Sequence, residues 1–135
     1  MYMLHFLLVE DDSILCIVQS AIIRQVFPDC SIEIACSVEE TLNHLQSLEK
    51  NHQNAPDYIL IDLHLSGIDG LEMVENFSEN QLLFLQETEL FILSATIDPR
   101  VIDRIQNNNR IKGFLEKPLS KDILLQNFQE KNSTK

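Results

Sequence analysis

Four places along this chain carry residue types that can do chemistry together. They are the acidic run Glu10-Asp11-Asp12, the aspartate Asp62, the serine Ser94 and the lysine Lys117. Clustered carboxylates repel one another and are costly unless a cation neutralises them. An all-oxygen donor set favours Mg²⁺ over softer metals, and Mg²⁺ neutralises phosphate oxygens and aligns an in-line displacement. Lysine brings a compact positive charge suited to phosphate. A serine hydroxyl can donate to a phosphoryl oxygen, and an aspartate can act as the nucleophile that becomes an acyl phosphate. The set fits phosphoryl transfer to an aspartate better than acyl transfer, because no Ser/His/Asp arrangement or nucleophile elbow accompanies it.

That chemistry requires the four places to share one rim, so the elements between them matter. Five short runs rich in Ile, Leu, Val and Phe are nearly continuous in hydrophobicity: Met3–Val9, Ser31–Cys36, Tyr58–Asp62, Leu90–Ser94 and Ile111–Leu115. Such runs suit strands covered on both faces, as in a parallel sheet. Between them lie amphipathic stretches. Ser13 to Phe27 has Ile14, Val18, Ala21 and Ile22 at a one-face helical spacing, and Pro28 stops it. Ser37 with Glu40 three residues on predicts a capping box for a helix running to about Leu48. Gly70 to Phe77 predicts a third helix. Asp98 with Pro99 starts a fourth, and Ser120 caps a fifth, with Leu119, Leu124 and Leu125 available to pack as a staple. The stretch from Phe77 to Glu89 is longer than a helix-to-strand turn needs. It predicts either an extended third helix or an added turn with contacts at Leu82, Leu83 and Leu85. Alternating strands and helices imply a single doubly wound α/β domain, followed by a polar tail from Gln129. In such sheets ligands bind outside the carboxyl ends of the strands. Glu10-Asp11-Asp12, Asp62, Ser94 and Lys117 all follow strand ends.

Composition narrows the classes. The chain has 135 residues and a formal net charge of −11, which disfavours nucleic acid and anionic membranes and suits a protein that holds cations. No apolar run reaches the ~20 residues of a membrane span, and Met1 to Val9 lacks the basic leader of a secretory signal. Cys16, Cys30 and Cys36 contain no CxxC pair. Cys30 and Cys36 bracket one strand, about 20 Å apart at ~3.3 Å per residue, so free thiols in a reducing cytoplasm are expected. The four histidines form no metal-ligand pair at helical spacing. His5, His44 and His52 read as surface or strand residues without a role.

The runs Leu7-Leu8-Val9-Glu10-Asp11-Asp12, Ile59 to Gly70 around Asp62, Leu93-Ser94-Ala95 and Phe114-Leu115-Glu116-Lys117-Pro118 resemble the response-regulator receiver family over essentially the whole chain. Each piece alone is weak; four in order, each at a strand end, are specific. The resemblance implies a flavodoxin-like sheet of five parallel strands in the order 2-1-3-4-5 with five helices. It implies that Asp62 accepts a phosphoryl group from a histidine kinase or a histidine phosphotransfer protein, with Mg²⁺ (or Mn²⁺ in its place) as cofactor. Matched position by position, Asp11, Asp62 and the backbone carbonyl of His64 hold the metal, with Glu10 acting through water. Lys117 pairs with the phosphoryl group, and Ser94 bonds it. Ser94 and Phe114 fall at the switch positions, and Lys117-Pro118 matches a bond that is usually cis in the family. The chain is expected to be no separate enzyme beyond promoting its own phosphorylation and dephosphorylation.

Some positions depart from the pattern. Ser66 stands where proline is usual, which leaves the loop after Asp62 less stiff. His64 brings an imidazole to a variable position two residues after the acceptor, where it could alter hydrolysis. Phe114 has no hydroxyl, so an inward state gains only packing. Asp12 reads as a helix cap and Asp69-Gly70 as turn chemistry. An aspartate-nucleophile phosphatase of the haloacid-dehalogenase type needs a second acid where His64 stands. A degenerate receiver would not keep the acids, Ser94 and Lys117. With no room for a further domain after Leu125, this reads as a stand-alone receiver domain spanning 1–135, cytoplasmic, without nucleic acid or membrane. Its output is expected through a downstream protein partner at about 98–128. Besides Lys117, that segment carries Arg100, Arg104, Arg110, Lys112 and Lys121, half of the ten basic residues.

Overall fold

Apolar runs without polar alternation need cover on both faces, and the helices of this chain provide it. The structure, a computed structural model, describes residues 3–65, 67–95 and 98–128. In chain order the elements are β1 (His5–Val9), α1 (Ser13–Val26), β2 (Ser31–Ala35), α2 (Val38–Lys50), β3 (Tyr58–Asp62), β4 (His64–Leu65), β5 (Ile68–Asp69), α3 (Gly70–Glu75), α4 (Glu79–Phe84), β6 (Glu89–Ser94), α5 (Pro99–Gln106), β7 (Ile111–Glu116) and α6 (Lys121–Asn127). Five strands form one parallel sheet in the order β2-β1-β3-β6-β7. Counting only the strands of that sheet, this is the expected 2-1-3-4-5. The short β4 and β5 form a separate antiparallel ribbon. The polar tail expected from Gln129 lies outside the described residues, as does Ser66.

Alternation along each strand builds two cores, because successive side chains leave opposite faces of a sheet. Leu7, Val9, Ile59, Ile61, Leu90 and Ile92 face one side, packing with Leu71, Val74, Leu85 and Ile105. Phe6, Leu8, Tyr58, Leu60, Phe91 and Leu93 face the other, with Ile23, Leu124 and Phe128.

Helix α1 turns inward only Ile22 of the face that hydropathy spacing predicts. Ile14, Val18 and Ala21 point to solvent, and Ile14 and Ile17 are each 70% exposed. The buried face is Cys16, Gln19, Ser20 and Ile23. Polar contacts explain the rotation. The Cys16 thiol donates to the Glu10 carbonyl (3.4 Å), and the Gln19 amide donates to Glu10 Oε1 (3.3 Å). A buried carboxylate needs such partners more than an isoleucine needs cover. Ser37 accepts from the Glu40 N–H as expected, but the Glu40 carboxylate reaches one residue further back, to the Cys36 N–H.

The expected five helices are six among the described residues. The added one is α4, inside the long stretch after Phe77. A complete capping box, Ser78 with Gln81, starts it, and of its neighbouring leucines Leu85 enters the core while Leu83 is exposed. Its carboxyl end is held by Arg110, whose Nη2 donates to the carbonyls of Leu82 (3.4 Å) and Leu85 (2.8 Å). The three cysteines are free, as expected; Cys16 is buried and Cys36 exposed. Arg110→Ala removes a charged donor from those carbonyls. It should cost about 1–3 kcal/mol, seen as a lower urea midpoint with unchanged m-value.

Candidate functional site

Parallel strands align their carboxyl ends, and the chain places its acids, hydroxyl and lysine there. Glu10 follows β1, Asp62 and Ser94 end β3 and β6, and Lys117 follows β7. Backbone bonds fix each position: Glu10 N–H to the Ala35 carbonyl (3.0 Å), Leu63 N–H to the Leu93 carbonyl (2.8 Å) and Lys117 N–H to the Ser94 carbonyl (3.0 Å). Glu10 and Ser94 are fully buried and Asp62 is 4% exposed. Lys117 Nζ lies 3.2 Å from Glu10 Oε1 and 3.2 Å from Asp62 Oδ1. The Lys117-Pro118 bond is cis, as the resemblance implied.

The electrostatics follow from this crowding. Burial raises the Glu10 carboxyl above its ordinary value, and the hydrogen bond and negative charge of Asp62 add to the rise against the opposing pull of Lys117. For Lys117, burial works against the charge, but Asp62 and the hydrogen bonds to Glu10 and Asp62 outweigh it, so its pKa is raised. It therefore remains a cation. One carboxylate oxygen from each of Glu10, Asp11 and Asp62 lies within 4.8 Å of the others. Three carboxylates beside one ammonium, with oxygen donors only, fit a hard divalent cation.

The neighbouring residues divide into helpers and bystanders. Asp12 caps α1, accepting from the N–H groups of Ile14 (2.9 Å) and Leu15 (3.1 Å). His64 lies in the short ribbon opposite Asp69. Its N–H donates to Asp62 Oδ1 at 3.3 Å and its side chain is exposed. Phe114 is half-buried against the first core, opposite Ile92. Asp69 caps α3, as expected of turn chemistry. Gly70 has a role that the sequence reading missed. A Cβ there would run into the carbonyl oxygen of Asp62 and the Ile61 side chain, so only glycine lets α3 start against the strand end that holds Asp62. The signal was a lone glycine at a helix start, which usually means only a turn.

The raised Glu10 pKa sets a sign for the pH dependence. A carboxyl with a raised folded pKa contributes stability below its unfolded value, ordinarily 4.5, and that contribution is lost as pH rises through the folded value. Without divalent cations, thermal stability should therefore fall as pH climbs out of the carboxylate range. Glu10→Gln should flatten the loss. Mg²⁺ at 100 times its dissociation constant should restore about 2.7 kcal/mol, read by melting scans at several pH values with and without the ion.

Comparisons with known proteins agree with this architecture. The family model for the response regulator receiver domain matches residues 6–129. A two-component response regulator from Cytophaga hutchinsonii has a similar solved structure, with TM-score 0.84 and 25% identity, covering 93% of this chain and 94% of that one. The chemotaxis response regulator CheY4 of Vibrio cholerae shares the fold at TM-score 0.68 and 21% identity, covering 93% and 95%. The sensory/regulatory protein RpfC of Xanthomonas campestris pv. campestris is 30% identical over 74 residues, 55% of this chain but 10% of that protein. This chain thus spans about a tenth of the length of the curated relatives it matches. No helix among the described residues is long and apolar enough to cross a membrane. Nearly the whole chain matches, and its acids and lysine meet at the edge of the matched sheet: it belongs to the response regulator receiver domain family.

Proposed function

We propose that this receiver domain takes a phosphoryl group from a phosphohistidine onto Asp62 in a Mg²⁺-dependent step and thereby switches a protein-binding surface. The observation that carries the proposal is Lys117 Nζ at 3.2 Å from both Glu10 Oε1 and Asp62 Oδ1. An ammonium already paired with the acceptor carboxylate is placed to follow the charge when a phosphoryl group arrives. In the transfer, the P–N bond of the phosphohistidine breaks and its electron pair stays on the imidazole. A new P–O bond forms to Asp62. Asp11, Asp62 and the His64 carbonyl would hold the metal, with Glu10 reaching it through water (Mn²⁺ would serve in place of Mg²⁺). The bound ion supplies neutralisation of the phosphoryl oxygens. Ser94 donates its hydroxyl to a phosphoryl oxygen, and Phe114 follows Ser94 by repacking. The domain promotes its own phosphorylation and dephosphorylation and turns over no separate substrate.

A receiver domain implies a histidine kinase or phosphotransfer protein as its partner. The exposed stripe of Ile14, Ile17 and Val18 starts within a turn of Asp12, on the rim that a phosphohistidine must reach. We assign it to the phosphodonor, whose apolar helix face would cover it. Output goes through about 98–128 to a downstream protein in the cytoplasm. Of the five basic side chains there besides Lys117, Arg104 is held by Glu75 (2.7 Å) and Asp69 (3.5 Å), Arg100 pairs with Asp98 (3.3 Å), and Arg110 caps α4. The outward charge is therefore left chiefly to Lys112 and Lys121, both exposed.

Incubation with Mg²⁺ and acetyl phosphate should add a single phosphoryl mass that Asp62→Ala abolishes. Full labelling of that variant would overturn the assignment. Ile17→Asp should slow transfer from a phosphohistidine protein at least tenfold, about 1.4 kcal/mol, while labelling by acetyl phosphate stays unchanged. An equal loss with both donors would sink the docking role of α1.

A further inference from the structure

Three of the chain's four histidines line one cavity. It has a volume of about 430 Å³ and lies at the amino-terminal end of the sheet, away from Asp62. His5 comes from β1, Glu33 from β2, His44 from α2 and His52 from the turn after α2. Neither lysine nor arginine lines it, and the chain carries a net charge of −11. An anion therefore finds no counter-charge there, while a cation does.

His52 adds a second, independent observation. The end of α2 closes with the Gln53 N–H on the Leu48 carbonyl (2.8 Å) and the His52 N–H on the Glu49 carbonyl (3.1 Å). This is the hydrogen-bond pattern of a Schellman motif with His52 at the residue just past the cap. That residue must be left-handed, and His52 has φ 58°. Glycine adopts this conformation without strain and is the usual choice. A histidine here strains the backbone beside the cavity that it lines, and strain of this kind clusters at binding sites.

We propose that the cavity is a site for a borderline divalent transition metal, such as Zn²⁺, Co²⁺ or Ni²⁺, bound by His44, His52 and His5 with Glu33. Imidazole nitrogens with one carboxylate select this class of ion over Mg²⁺. Among the described residues, only the acid trio presents three ligand atoms within 4.8 Å, so the imidazoles close on the ion by rotation. His5 and His52 are exposed, and exposed side chains change rotamer within nanoseconds. The ion would tie α2 and its turn to β1 and β2. This site is separate from the phosphoacceptor rim and does not depend on its chemistry.

The test is calorimetric titration of the full chain with Ni²⁺ or Co²⁺ in saturating Mg²⁺, repeated on Asp62→Ala. One ion per chain is expected in both backgrounds. His52→Gly suits the left-handed turn better than histidine does, so its metal-free melting temperature should not fall. Its affinity for the ion should drop at least about tenfold, the scale seen when even an outer partner of a metal ligand is lost. His44→Ala should behave alike in the titration, and Cys36→Ser should change nothing. Unaltered affinity in His52→Gly and His44→Ala, or binding lost with Asp62→Ala or Cys36→Ser instead, overturns the proposal.

Discussion

Lys117 stands between two carboxylates that do not tolerate each other alone. Its Nζ is 3.2 Å from an oxygen of Glu10 and of Asp62, and both acids are almost wholly removed from water. Taking such charges out of water costs more than their attraction commonly returns, so stability does not explain the arrangement. Without the ammonium, the buried acids would repel each other at short range in a medium that screens poorly. Much of the surrounding structure keeps this arrangement in place. The strands are held in register, so that four carboxyl ends meet at one edge. The backbone bonds of Glu10, Leu63 and Lys117 to neighbouring strands fix where the side chains start.

The same constraint reaches outward into the helices. Glu10 draws Cys16 and Gln19 toward it, and this rotates α1 until Ile14 and Ile17 face solvent while Ile23 stays in the core. An exposed apolar stripe beside the rim is thus the consequence of satisfying a buried carboxylate. On the other side, Gly70 lets α3 begin directly against Asp62. The short ribbon of β4 and β5 carries His64 beside Asp62, and Arg104 clamps Asp69 at the foot of that ribbon to Glu75 on α3. Helix α5 is thereby tied to the loop that follows Asp62, a physical link between that carboxylate and the proposed output face.

The five strands and the placing of Glu10, Asp62, Ser94 and Lys117 at their carboxyl ends were legible in the chain, because continuous apolar runs with chemistry at their ends leave few topologies open; the strand order followed from the resemblance of four motifs to the receiver family. Three features were not legible. Helix α4 was ambiguous because Phe77 to Glu89 mixes a capping signal with scattered leucines, and its end is secured by Arg110, 25 residues beyond Leu85, together with the Thr88 and Gln86 N–H groups. The inward face of α1 was misjudged because hydropathy weighs isoleucine above glutamine, whereas the buried partner here is a carboxylate. The gathering of His5, His44 and His52 was invisible because β1, α2 and the following turn meet only after the chain folds.

What the sequence by itself determined is the set of strands, the charge pattern and the residue types that must meet, since local patterning and strand-end placement are written in neighbouring residues. What only the tertiary structure decided is which side chains touch: Lys117 shared between Glu10 and Asp62, α1 turned toward Glu10, Arg104 and Arg110 drawn inward, and three histidines around one cavity. Those outcomes depend on desolvation and on contacts between different elements of the fold, and a burial cost exists only once the fold has excluded water.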